Sequence, residues 1–159
     1  MKLPNNVLTY QKELMRPETR GDKKVRDFES MFSILTLKEA ADILDKMRIK
    51  KDTTFYNYYL NFLPSGAHFR GDSDLLYDLD EIYEDYKQPF WSRYKEIGER
   101  YLQLSSIEGE WSYFYDKETD AVYGVDWSEM DDFINGKLEP LFNSFYDFLE
   151  WYYSDDNEE

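Results

Sequence analysis

The chain has 159 residues, of which 42% are hydrophobic and 33% charged, enough apolar material for one globular domain. Its 19 basic and 34 acidic side chains give a formal net charge of −15, which argues against a surface that grips nucleic-acid phosphates. There is no cysteine and one histidine, which excludes disulfides, thiol nucleophiles and cysteine- or histidine-rich metal sites. We therefore expect no cofactor and no metal.

No stretch approaches the roughly 18 apolar residues of a membrane span, and the first residues lack the hydrophobic region of a secretory signal. The absence of cysteine fits a reducing compartment. We therefore expect a cytoplasmic protein that makes no contact with membranes.

The charge is distributed unevenly along the chain. Residues 1–80 hold 13 basic and 13 acidic side chains, whereas residues 81–159 hold 6 basic and 21 acidic ones. The second half therefore carries the whole net charge. This half is either a solubilising surface or an electrostatic surface for a cationic partner.

The N-terminal region shows no dominant periodicity. Pro4 and Pro17 interrupt residues 1–35, so we predict an N-terminal extension that is irregular or partly helical. A domain is predicted over residues 36–153, and residues 154–159 form an acidic tail.

Two helices are predicted at the start of the domain. Thr36 and Glu39 match a capping box, and an apolar stripe with helical spacing follows them. A second stripe runs from Phe55 to Phe62, and Asp52 is the predicted N-cap residue. Each helix is expected to bury its apolar stripe.

The middle of the chain is predicted to contain a short strand at 75–77 and helices over 79–86 and 90–97. The pattern then changes to alternation, which predicts strands at 101–104, 111–116 and 121–126, the last two joined as a β-hairpin.

The chain closes with a helix at 145–153 that Ser144 is expected to cap, after a turn at Asn135–Gly136. Its apolar stripe of Phe145, Phe148, Leu149 and Tyr152 is expected to be buried. Helices and strands are largely segregated along the sequence, which predicts a single α+β domain.

Several of these segments carry motifs of a known family. Residues 101–104, 111–116, 121–126 and 143–149, together with the aromatic helix at 55–63, resemble the SUKH superfamily. The resemblance implies a curved antiparallel sheet flanked by helices. It also implies a bacterial immunity protein that binds and neutralises a cognate toxin, many of these toxins being nucleases, or a regulator related to those of fungal cell-wall synthesis.

Neither of these roles is catalytic. The leading hypothesis is therefore an immunity protein that occludes a basic toxin, with acidic side chains pairing with the toxin's Lys and Arg and aromatic rings anchoring the contact. The candidate contacts are Glu81, Glu84, Asp85, Asp116, Glu118, Asp120, Tyr123, Asp126, Trp127, Glu129, Asp131 and Asp132.

Two alternatives remain open at this point. One is a regulatory protein-binding adaptor, and the other is a carboxylate-dependent hydrolase, which needs two carboxyls facing each other across a deep cleft. The acidic run from Asp126 to Asp132 lacks the EF-hand loop pattern, so we assign it a structural or surface role. The sequence contains no G-x-S-x-G nucleophile-elbow motif with which His68 could act, so we assign His68 no catalytic role.

Overall fold

The computed structural model describes residues 3–11, 15–18, 35–64, 76–87, 100–105 and 111–154. The helix predicted at 90–97, most of the predicted N-terminal extension and the acidic tail from residue 155 lie outside these ranges, and so does His68.

Helices and a three-stranded antiparallel sheet make up the described residues, which confirms the predicted α+β class. The helices are α1 (Asn5–Gln11), α2 (Leu37–Lys46), α3 (Thr54–Asn61), α4 (Leu79–Lys87), α5 (Met130–Ile134) and α6 (Phe145–Tyr152). The strands are β1 (Tyr101–Gln103), β2 (Trp111–Asp116) and β3 (Val122–Asp126), in the order β1-β2-β3. None of these helices is long and apolar enough to cross a bilayer.

Hydroxyl side chains cap the N-termini of three helices. The capping box at Thr36 is confirmed, because its hydroxyl accepts a hydrogen bond from the Glu39 amide at 3.3 Å and the Glu39 carboxylate accepts one from the Thr36 amide. The prediction of Asp52 as the next cap is wrong by one residue. Thr53 caps α3, since its hydroxyl lies three positions before Tyr56 and accepts from that amide at 3.1 Å. Ser144 caps α6 as predicted.

The hairpin of β2 and β3 forms in antiparallel register, with Tyr115 opposite Val122, so β3 begins one residue later than predicted. The strand predicted at 75–77 is not observed in its described part. Leu76 forms only an isolated bridge to Ser105. Helix α4 begins directly afterwards, since the Asp78 carbonyl accepts hydrogen bonds from the Glu81 and Ile82 amides at 3.2 and 3.1 Å.

Both faces of the sheet are covered. Tyr113 and Tyr115 point into the main core. The opposite face carries Phe114, which packs with Met130 and Phe133 of α5 in a second, smaller cluster. Burial of both faces explains why β2 is buried almost throughout instead of alternating.

The closing helix lies at the centre of the main core. The predicted stripe of Phe145, Phe148, Leu149 and Tyr152 is fully buried. Helix α6 packs against α1 and α3, and the hydroxyl of Tyr153, just past its end, lies 2.5 Å from that of Tyr58.

The described part of the N-terminal region belongs to the same packed unit. Leu3 and Val7 are buried in the main core. Arg16 is buried as well, and its guanidinium donates to both carboxylate oxygens of Asp78 at 2.8 and 3.0 Å and to the carbonyl of Tyr59. Residues before 36 therefore contribute to the core and to the start of α4.

Candidate protein-binding surfaces

The structure divides the predicted contact residues into two regions. The first, which we call the α4 groove, is lined by Tyr77, Asp80, Glu81, Glu84 and Asp85. The second, which we call the hairpin acids, comprises the carboxylates of the β2–β3 turn and of the segment after β3: Asp116, Glu118, Asp120, Asp126, Glu129, Asp131 and Asp132.

The α4 groove is an open depression of about 420 Å³. Helix α4 buries Leu79 and Ile82 and packs on α2 and β1. Its acidic positions are consequently left on the side away from that contact. The sequence analysis named three of these acids and missed Asp80 and Tyr77, which complete the lining.

The carboxyls of the groove are held in an unfavourable electrostatic environment. Burial and then the neighbouring Asp78 charge raise the pKa of Asp80. Burial and the surrounding carboxylates likewise raise the pKa of Glu81, and burial with the Glu84 charge raises that of Asp85. A cation beside these carboxyls would favour their charged form.

Few positive charges compensate these acids. Lys87 forms an ion pair with Glu84 at 2.9 Å and lies over the ring of Tyr83. Within the described ranges, neither Glu81 nor Asp85 has an ion-pair partner. The described lining of the groove therefore carries a net negative charge.

Asp116 belongs to the interior, which corrects its prediction as a partner contact. Its side chain is 0% exposed, and Arg100 donates to its two oxygens at 3.0 and 2.9 Å. The Glu118 amide and the Thr119 hydroxyl donate to it as well, both at 2.9 Å. Burial alone would raise the pKa of Asp116, but these hydrogen bonds outweigh it and hold that pKa below its usual range. The Asp116 carboxylate therefore stabilises the turn between β2 and β3.

Asp120 joins the hairpin to the final helix. It has a positive φ of 69°, and its carboxylate accepts hydrogen bonds from the Tyr115 hydroxyl at 2.7 Å and the Phe145 amide at 3.4 Å. Burial raises its pKa despite these bonds. Glu118 is exposed beside them, and it contacts Arg100 at 3.3 Å.

The acids after β3 build a helical segment that the sequence analysis missed. Asp126 and Glu129 form a capping box around a short 3-10 turn, which leads directly into α5. Hydrogen bonds from the amide and hydroxyl of Ser128 lower the pKa of Asp126. The Asp-x-x-Glu spacing of a capping box could have predicted that a helical segment begins at Asp126.

The remaining candidates lie on the outside of this segment. Asp131 and Asp132 are exposed in the first turn of α5. Tyr123 is half-buried, with its ring 5.1 Å from that of Phe133, and the Trp127 side chain is 39% exposed. Over the described part of the chain, no group of three or more His, Cys, Asp or Glu side chains is arranged to hold a metal ion.

Comparison of the chain with protein-family models, with curated proteins and with solved structures finds no match. Roles for these surfaces therefore rest on their geometry and charge.

Proposed function

We propose that this chain is a non-enzymatic binding protein that neutralises a cognate toxin with a basic surface, and that the α4 groove is its principal contact. The observation that carries the proposal is the open set of carboxyls on α4, of which Glu84 pairs with Lys87 whereas Glu81 and Asp85 have no cation beside them in the described residues. The resemblance to the SUKH superfamily supports the same function.

The proposed mechanism is occlusion. A nuclease uses Lys and Arg to hold phosphates, and the same side chains would pair with the groove. Arginine suits it well, because a planar guanidinium can bridge two carboxylate oxygens. Each cation that enters also offsets the repulsion that neighbouring carboxylates add to the effect of burial on Glu81 and Asp85. The expected site of action is the cytoplasm.

The two alternatives are less well supported. A regulatory adaptor would use the same surface with a basic partner that is not toxic. A hydrolase needs carboxyls that face each other across a cleft, whereas the described lining of the groove comes from residues 77–85 alone and is open to solvent.

Growth protection tests the proposal. The protein encoded beside this chain's gene is produced in a bacterial host with and without the chain, and growth is compared. Rescue by the wild-type chain, with formation of a stable complex between purified proteins, is the expected result. A toxic neighbour that the chain neither binds nor neutralises would overturn it, whereas a bound neighbour without toxicity would favour the adaptor.

Matched variants locate the contact. The set Glu81→Gln, Glu84→Gln and Asp85→Asn removes three charges from the groove. The control set Glu18→Gln, Asp42→Asn and Asp52→Asn removes three charges from exposed positions of the neutral half. We expect protection to be lost with the first set and kept with the second.

A further inference from the structure

An apolar patch lies on the sheet at Gly124, away from the α4 groove. A Cβ atom at Gly124 would come within 2.5 Å of the Trp111 ring and 3.2 Å of the Leu141 side chain. The absence of a side chain at this position thus allows the indole of Trp111 and the side chain of Leu141 to cover the strand.

The patch continues onto the final helix. Phe142 and Trp151 have ring centroids 5.2 Å apart, and Trp151 lies 6.3 Å from the ring of Tyr113, which in turn contacts Trp111 at 4.5 Å. Trp111, Phe142 and Trp151 are only partly buried, and Leu141 is 51% exposed. A contiguous apolar surface therefore faces solvent here.

This surface and the α4 groove are at opposite edges of the sheet. Helix α4 packs against β1, which forms one edge. The Phe142 segment pairs with Val122 of β3, which forms the other edge. A contact at the patch can therefore be altered without changing the groove.

The charge around the patch indicates which partner fits it. Residues 111–154 contain ten acidic and two basic side chains. Asp126 is the cross-strand partner of Trp111, and exposed Asp147 and Glu150 stand beside Trp151 on α6. A second copy of this chain would bring the same negative charge to the contact, whereas a basic protein would neutralise it.

We propose that the patch formed by Trp111, Leu141, Phe142 and Trp151 is a second docking surface, which receives a protruding aliphatic side chain of a basic protein. The rim carboxylates Asp126, Asp147 and Glu150 pair with Lys or Arg flanking that side chain. An apolar centre inside a charged rim is the usual anatomy of a specific interface. This docking surface is independent of the proposed function of the groove.

Two peptides of equal charge test the proposal on the whole isotope-labelled chain. One alternates Lys and Leu, and the other alternates Lys and Ser. We expect the Lys-Leu peptide to shift the NMR signals of the Trp111 and Trp151 indoles and of the Gly124 amide. The Lys-Ser peptide, which can pair with the rim carboxylates but brings no aliphatic side chain, should shift these signals much less.

Variants provide the controls. Leu141→Ser should weaken Lys-Leu binding at the patch about tenfold. Leu8→Ser changes a leucine of nearly equal exposure, 48%, on α1 and should leave the affinity unchanged. Gly124→Ala adds no charge but must displace the Trp111 ring, so it should weaken binding as well.

Three results would overturn the proposal: no shift at the patch with the Lys-Leu peptide, equal shifts with both peptides, or shifts of these signals with protein concentration alone. The last would assign the patch to a second copy of the chain. None of these outcomes bears on the groove, whose failure would appear as unchanged protection in the charge variants of α4.

Discussion

The α4 groove and the hairpin acids have similar compositions and different physical roles. On α4, Glu81 and Asp85 face a depression with no cation of their own in the described residues, and their pKa values are raised. In the hairpin, Asp116 is enclosed by Arg100 and by amide and hydroxyl donors, and its pKa is lowered. The internal cation distinguishes the two: Arg100 neutralises Asp116, whereas no described cation pairs with Glu81 or Asp85.

This difference shows how to interpret a large net charge. Acid counts alone placed both regions on one binding surface, although several hairpin acids are already used to build the fold. A carboxylate that is already paired with an internal cation, as Asp116 is with Arg100, contributes little to the field that attracts another protein. The following predictions address this contrast, in order of decreasing effect.

Asp116→Asn should lower the free energy of unfolding by about 2–4 kcal/mol, measured by urea denaturation. The variant leaves Arg100 without its buried partner and weakens the turn. The loss is smaller than for a wholly buried pair because the Arg100 side chain is 39% exposed. Glu118→Gln, at the exposed side of the same arginine, should change stability by less than about 0.5 kcal/mol. Equal losses of stability at Asp116 and Glu118 would contradict the assignment of Asp116 to the interior.

The contribution of Asp116 also has a defined pH dependence. Because its pKa is lowered in the folded state, the stabilisation is fully present above the ordinary carboxyl pKa and is lost as pH falls through the folded value. The difference in the free energy of unfolding between wild type and Asp116→Asn should therefore become small in acid.

Asp120 should show an intermediate effect. Asp120→Ala removes the acceptor for Tyr115 and for the first amide of α6, and it places a Cβ residue without a polar group at positive φ. We expect a loss of about 2 kcal/mol, against about 1 kcal/mol for Asp120→Asn, because asparagine tolerates this backbone region. Thermal unfolding of the two variants measures the difference, and a larger loss for asparagine would argue against the role of φ.

Removal of charge from the groove should slow association. The triple variant of Glu81, Glu84 and Asp85 is expected to bind the basic partner about three- to tenfold more slowly at low salt. The wild-type rate should itself fall as salt rises, since the screening length is about 10 Å at 0.1 M. Stopped-flow measurements of the association rate at low and high salt test this prediction. A salt-independent rate would identify the acids as a solubilising surface only.

The smallest effect is expected on the stability of the free protein. Glu81→Gln removes a carboxylate whose ionisation is unfavourable in the folded state, so it should raise the free energy of unfolding by up to about 0.5 kcal/mol at pH 7. The gain should disappear as pH falls below the ordinary carboxyl pKa, where the wild-type side chain is protonated in both states. Denaturation at pH 7 and at a pH below the ordinary carboxyl pKa measures this gain in the free energy of unfolding. A loss of stability at pH 7 would mean that Glu81 is stabilised by a partner.

Local signals in the sequence were sufficient for most of the regular structure. The Thr36–Glu39 box, Ser144 and the buried stripe of α6 depend on spacing within a few residues, and all were predicted correctly. The helical start at Asp126 was equally local, and it was missed because its acids were interpreted as surface charge.

The sequence by itself determined the α+β class, the hairpin, the helix starts at Thr36 and Ser144 and the excess of negative charge, because these follow from periodicity, local spacing and composition. Tertiary structure alone decided which acids are internal and which face solvent. Arg100, immediately before β1, reaches Asp116 at the end of β2, and Arg16 reaches Asp78 across the core. Ion pairs between residues distant in sequence leave no local pattern, and the α4 groove is defined by the packing of its helix against α2 and β1.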